Sequence, residues 1–251
     1  MQIKVVCLNI WLGILLDRSI AFLKEQDADI ILLQEVFDAR EESWNNRGLR
    51  SRAELKKLGY AYEAFSPTFV KVQEEGKIPQ GNLILSKFPI VSSEEVFFDV
   101  PFNDSFLQWR GNFETTPRNL QHVVIDANGT ELNVFNTQGI WGEDGDDNER
   151  RLAMGQTIAD AVRGKSHVIL GGDFNVQEKT ETIKLIESVG VKNIFKDELK
   201  TTFNLRRKTH PGFATAVVDL LMISPDISVL EHSCPDVDVT DHLPLIAVLE
   251  V

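Results

Sequence analysis

Apolar positions along this chain follow two rhythms. Short runs at 3–8, 29–33, 167–170 and 217–223 are almost wholly apolar, as expected of strands buried on both faces. Further strand-like runs lie at 81–86, after Pro89, and at 107–113, 120–125, 131–136, 227–231 and 245–251. Asn128-Gly129 between two of them is a strong hairpin signal, because both residues accept the left-handed backbone of a tight turn. Helical spacing appears at 16–26, where Leu16, Ile20 and Leu23 share a face, and at 148–162 and 181–189. A polar, helix-prone stretch covers 39–58. Strands dominate, and many follow one another without an intervening helix. The pattern predicts an α+β fold: a four-layer sandwich with two mixed β-sheets face to face and helices outside.

Size and composition narrow the picture. The chain has 251 residues, 43% of them hydrophobic, and neither a linker-like tract nor a repeat divides it. One domain spanning residues 1–251 is expected, large enough for a full core. The net charge is -12. Non-specific nucleic-acid binders draw most of their affinity from a basic face, so this balance disfavours a general duplex binder without excluding a local basic patch. Cys7 and Cys234 are too few for a disulfide framework and read as buried thiols in a reducing compartment. No apolar run reaches the ~18 residues of a membrane span. A soluble, cytoplasmic, monomeric protein is expected.

The candidate chemistry lies where apolar runs end. Asn9 follows the first run and Glu35 the second; Asp173 and Asn175 follow the third; Asp241 and His242 precede Leu243-Pro244. Strand ends are rigid platforms for aiming side chains into a cleft. An oxygen-rich set of this kind suits hard cations such as Mg²⁺ or Mn²⁺ rather than structural zinc. Taken singly, Glu35 reads equally as a helix cap, and Asp173-Phe174-Asn175 as turn chemistry. Asp219 is harder to dismiss. An unpaired carboxylate within Val217-Val218-Asp219-Leu220-Leu221 would be costly, and His242 is the natural partner.

The blocks LNIW (8–11), LLQEV (32–36), GNLILSKFPI (81–90), FNTQG (135–139), GGDFN (171–175), VDLLMIS (218–224) and TDHLP (240–244) occur in this order over nearly the whole chain. In that order they resemble the endonuclease/exonuclease/phosphatase superfamily, whose fold is deoxyribonuclease I-like. The segment GIWGEDGDDNERRLAMGQ after FNTQG is similar to a microbial branch of it. The resemblance implies a divalent-metal-dependent hydrolase that cleaves a phosphodiester or phosphomonoester by in-line attack of water. It implies Glu35 and Asp241 as metal carboxylates, with Asn9 in the metal or phosphate shell. Asp173 would orient or deprotonate the water, and Asn175 would steady phosphate and nucleophile. His242 would contact the phosphate, its ring held by Asp219.

The chain departs from that pattern at FNTQG, which normally carries a histidine where Gln138 stands. In much of the family that histidine pairs with an acid just before the glycine of GNLILSKFPI, a position held here by Gln80. The expectation is a Gln80–Gln138 amide pair in the cleft, presenting a neutral donor where a histidine would titrate. A phosphoester-binding protein with weak or lost turnover is therefore the alternative reading. Arg206, Arg207, Lys208 and His210 form the clearest basic cluster: either solvated surface or, through Arg206, a substrate-phosphate contact. Asp144, Asp146 and Asp147 read as a solvated loop and helix start, and His122, His167 and His232 as structural or surface residues. Trp141 follows Gln138 closely enough to line the cleft.

Overall fold

A computed structural model of the chain describes residues 1–39, 46–73 and 76–251. Two mixed sheets organise them. The first has seven strands: β1 (Gln2–Asn9), β2 (Ile30–Phe37), β3 (Tyr62–Gln73), β4 (Gly76–Ser86), β6 (Asn103–Phe106), β12 (Ser228–Ser233) and β13 (Leu245–Glu250). The second has six: β5 (Ile90–Phe97), β7 (Asn119–Ala127), β8 (Thr130–Gln138), β9 (Val168–Asp173), β10 (Lys192–Asn193) and β11 (Asp219–Ile223). Strand order is β12-β13-β1-β2-β4-β3-β6 in the first and β10-β11-β9-β8-β7-β5 in the second. The α-helices are α1 (Leu16–Gln26), α2 (Ser51–Leu55), α3 (Glu149–Val162) and α4 (Glu181–Glu187).

The layering follows from the period-2 alternation of a strand. Val5 and Cys7 of β1, Ile30 and Leu32 of β2, Ile169 of β9 and Leu221 of β11 turn inward to one core between the sheets. Their neighbours Val6, Leu8, Ile31 and Leu33 face outward under Phe22 and Leu23 of α1. Leu170, Leu220 and Met222 face the other way, under Met154 and Ile158 of α3 and Ile183 and Ile186 of α4. Both faces of the central strands are covered, hence their nearly unbroken apolar sequence. The expected sandwich of two mixed sheets with outer helices is the fold observed.

Two sequence expectations change in detail. Residues 107–113 are not a strand; β6 ends at Phe106, and 3₁₀ turns form at Arg110–Thr115. Gly111, and Asn112 held by side-chain bonds to Leu107 and Trp109, favour a local turn over a ladder. Within the expected helical stretch 39–58, short helices occupy Arg47–Arg50, Ser51–Leu55 and Lys56–Leu58, and residues 40–45 lie outside the described residues. The Asn128-Gly129 turn is as expected, with φ of 56° and 91°.

Candidate active site

The site is built at one end of both sheets. Parallel pairing of β1 with β2 sets Asn9 beside Gln34, one residue before Glu35. Between Leu33 and Val36 the pairing of β2 with β4 slips, so that Gln34 and Glu35 stand opposite Asn82 alone. Glu35 has φ of 62° there, a left-handed conformation rarely adopted outside glycine. This β-bulge sends Gln34 into the interior, where its amide donates to Asn136 at 2.6 Å, and frees Glu35 from the strand's alternation. In the second sheet Asp173 is the shared neighbour of Gln138 on β8 and Asp219 on β11. The preceding glycines are required by closeness. A Cβ on Gly172 would lie 2.0 Å from the Thr137 carbonyl, and one on Gly139 would lie 1.9 Å from that of Phe174.

Asp219 and His242 are both buried, with Oδ2 and Nδ1 at 2.8 Å, so the expected pair is formed. A carboxylate on Nδ1 fixes the proton there and leaves Nε2 for other work. Burial alone would depress the imidazole, but Asp219, Asp241 and Asp173 together outweigh it, and its pKa is raised to about 10. Asp173 is held by two donors, the Asn9 Nδ2 on Oδ2 and the Asn175 amide on Oδ1, each at 3.0 Å. Burial, with Asp219 adding and His242 opposing, pushes its carboxyl above the usual value. Asn175, with φ of 54°, donates its side-chain amide to the Gly139 carbonyl at 3.1 Å.

Glu35 accepts the Gln138 Nε2 at 2.7 Å. Its carboxyl is raised by burial first and then by Asp241 and Asp173, while Arg118 and His242 oppose. Asp241 is 1% exposed and meets the Lys208 ammonium at 2.8 Å. Asn9, Glu35, Gln138, Asp173, Asn175, Asp219, Asp241 and His242 thus form one linked group of strand-end side chains, as the sequence predicts. Oxygen and nitrogen atoms of Asp173, Asp219 and His242 also lie within 4.8 Å of one another, a spacing that metal ligands show. Within that trio Asp219 and His242 already bond each other, whereas the Glu35 and Asp241 carboxylates are met by Gln138 and Lys208.

The glutamine pair is a correction. Gln138 does not bond Gln80; its Oε1 accepts from Arg118 and its Nε2 reaches Glu35. Gln80 faces Phe37 and Phe69 in the pairing of β4, and its buried Oε1 has no partner among the described residues. A full charge and a carboxylate are stronger partners for an amide than another amide, so Gln138 is drawn to Arg118 and Glu35. Arg206 is a second adjustment. Its guanidinium forms a two-pronged pair with the exposed Asp236, and Lys208, two residues on, is the member of the cluster that reaches the carboxylates.

Three contributors escaped sequence reasoning. Arg118 was hidden because one charged residue after a proline at a strand start has no periodic signature. Thr202 accepts the Val218 and Asp219 amides on its hydroxyl, each at 3.1 Å, and its carbonyl accepts from Leu243 at 2.7 Å. Phe203 bridges to His242 and sets its ring 4.8 Å away. Thr202 and Phe203 sit in a loop with nothing in its composition to mark it. Trp141 packs edge-on against Phe113 at 5.7 Å beside the Gln138 strand end. His122, expected to be structural, is bonded to Glu94 at 2.7 Å and Asn133 at 3.0 Å and stacks on Phe135.

A sequence model described as the Endonuclease/Exonuclease/phosphatase family matches residues 8–242. No curated protein matches the chain. Its fold is similar to that of an endonuclease/exonuclease/phosphatase from Beutenbergia cavernae DSM 12333, with a TM-score of 0.80 and 19% identity over 100% of this chain and 72% of the other. A mannosyl-6-phosphatase from Bacteroides thetaiotaomicron VPI-5482 superposes with a TM-score of 0.71 and 17% identity over 99% of this chain and 100% of the other. The human Nocturnin catalytic domain, solved with a bound sulfate anion, gives 0.69 and 19% over 99% and 94%. At these identities the likeness is one of fold.

Proposed function

Because the chain belongs to the endonuclease/exonuclease/phosphatase family, we propose that it is a hydrolase that cleaves a phosphodiester or phosphomonoester, using water and a divalent cation, Mg²⁺ or Mn²⁺. The observation that carries this reading is the buried Asp219–His242 pair set against Asp173, with the Glu35 carboxylate tied in through Gln138.

The residues fit a hard cation. Glu35 and Asp241 offer oxygen donors, and the Asp241 charge raises the cost of ionising Glu35. Lys208 already brings a positive charge to within 2.8 Å of Asp241. Glu35 and Asp241 would hold the ion, which when bound supplies charge neutralisation at the phosphoryl oxygens. Asn9 serves chiefly to orient Asp173, because its Oδ1 already accepts the Trp11 amide at 2.9 Å.

The chain's own groups divide the remaining work. Asp173 is steered by Asn9 and Asn175 and made more basic by burial, so it suits removal of a proton from water at its carboxylate. His242, protonated at neutral pH and anchored through Nδ1, offers Nε2–H to a phosphate oxygen. Asn175 stands beside Asp173 as an amide donor for the phosphate. Gln138 holds Glu35 in place and cannot itself shuttle a proton.

The test is hydrolysis of a chromogenic phosphodiester and phosphomonoester with Mg²⁺ or Mn²⁺, followed by a panel of DNA, RNA, nucleotides, sugar phosphates and phospholipid head groups. Asp173→Asn is expected to lower kcat by about 10²–10⁴. The second reading, a binding protein with lost turnover, is favoured by Gln138 in the place of the family's histidine. Absence of metal-dependent turnover across the panel would decide for it.

A further inference from the structure

Two arginines are buried among the described residues, Arg118 and Arg151, and their surroundings differ. Arg151 meets Asp144 at 3.0 Å and donates to the carbonyls of Ile140 and Asp146, so its charge has an anion and fixed dipoles around it. Arg118 is 6% exposed, and no carboxylate among the described residues lies within ion-pair distance of it. Among the described residues its guanidinium has one partner, the neutral Oε1 of Gln138, and its buried Nε has none. A guanidinium stays protonated, and a buried charge without a counter-ion is costly to keep.

Its location indicates which anion the guanidinium is placed to meet. Arg118 immediately precedes β7, whose Leu120 pairs with Thr137, and it grips the side chain of Gln138 at the end of β8. Through that amide it is one hydrogen bond from Glu35, and the charges of Glu35 and Asp173 act on it directly. Lys208 pairs with Asp241, Arg206 with Asp236 and Arg207 with Asp238, while Lys71, within the field of Glu35, sets its ammonium over the Phe37 ring. Five donors in a flat fork match two oxygens of one phosphoryl group, and here most of the fork lacks an acceptor among the described residues.

We propose that Arg118 is a substrate-binding residue whose guanidinium takes two unesterified oxygens of the substrate's phosphate, with Gln138 holding the fork in position. This rests on the phosphoester reading of the site. The Gln138 Oε1 fixes one Nη group, and the edge left for the anion is the second Nη with Nε, whose buried N–H would gain its partner there. Arg118 thereby supplies the charged donor that the family's histidine would otherwise provide at the position of Gln138. A diester carries two such oxygens and a monoester three, so either could fill the fork, and the experiment separates them.

Inorganic phosphate is titrated calorimetrically into the wild type, Arg118→Lys and Arg118→Met in Mg²⁺ buffer, and Tm is recorded with and without phosphate. Loss of a charge-assisted hydrogen bond is expected to weaken phosphate binding about tenfold or more in both variants. Arg118→Met, which removes an uncompensated buried charge, is expected to keep or raise the ligand-free Tm while losing the phosphate-induced rise. Wild-type affinity in both variants overturns the proposal even if hydrolysis is demonstrated. So does a wild type that binds no phosphate, or a lower Tm in both variants with the phosphate response intact, which would make Arg118 a purely structural partner of Gln138. Phosphate binding lost in the variants of a protein without turnover would support the proposal and sink the hydrolase reading alone. Matching kcat/KM losses on a chromogenic monoester and diester indicate the shared phosphate as the ligand; a loss confined to one names the substrate class.

Discussion

At the scale of single residues, a charge inside the protein is costly unless a partner meets it. Asp219 is 3% exposed at the start of an apolar strand, and the His242 imidazole answers it at 2.8 Å. Removing one partner of such a pair typically costs about 3–5 kcal/mol, so Asp219→Ala is expected to lower stability markedly and to reduce turnover. The loss should depend on pH. In the metal-free protein the His242 pKa stands raised, from 6.5 to about 10. Protonation of the folded state is then tighter than that of the unfolded state. The pair contributes fully below pH 6.5, and its contribution disappears as pH rises through about 10. Urea denaturation in EDTA at pH 6 and at pH 10 checks this: the gap between wild type and Asp219→Ala should be wide at pH 6 and narrow at pH 10. A gap that widens toward pH 10 would contradict the assignment of the proton to His242.

At the scale of elements, strand ends and their irregularities aim the chemistry. The bulge in β2 turns Gln34 inward and frees Glu35, at the cost of a positive φ. The β8–β9 seam is equally constrained. The Gly139 amide donates to the Asp173 carbonyl at 2.7 Å, and its Cα faces the Phe174 carbonyl without room for a side chain. Gly139→Ala must push the two strand ends apart and so displace Asp173 and Asn175. The expected result is a loss of roughly 1–3 kcal/mol with a disproportionate fall in kcat. Thermal denaturation and steady-state kinetics on the same preparation distinguish this from simple destabilisation. A variant with lowered Tm but wild-type kcat would show that the seam does not position the site.

At the scale of the whole molecule, net charge and local charge oppose each other. The chain carries -12 overall, while Arg118, Lys208 and His242 gather at the carboxylate site. Long-range repulsion of an anionic substrate is screened by salt, and short-range contacts in a buried site are screened far less. Raising ionic strength from about 10 mM to 150 mM is therefore expected to raise kcat/KM on a small phosphoester. A steep fall with salt would instead reveal a basic approach path. Long duplexes extend their charge over the acidic surface and are expected to be poorer substrates than small esters. No helix among the described residues is long and apolar enough to cross a membrane.

The layers and most of the site follow from the order of residues along the chain. Unbroken apolar runs require strands covered on both faces, and polar residues just beyond them fall at a common edge, so Asn9, Glu35, Asp173, Asn175, Asp241 and His242 were legible as a group. The pairing of Asp219 with His242 was legible too, because the charge penalty in an apolar strand leaves few solutions. How the remaining polar groups find partners depends on the three-dimensional packing. Gln138 takes Arg118 and Glu35 rather than Gln80, and Lys208 rather than Arg206 reaches Asp241. Periodicity reports which face a side chain occupies and burial reports whether it needs a partner. Neither reports which of several donors across two sheets comes within 3 Å, since that depends on register, bulges and the path of loops such as the one carrying Thr202 and Phe203.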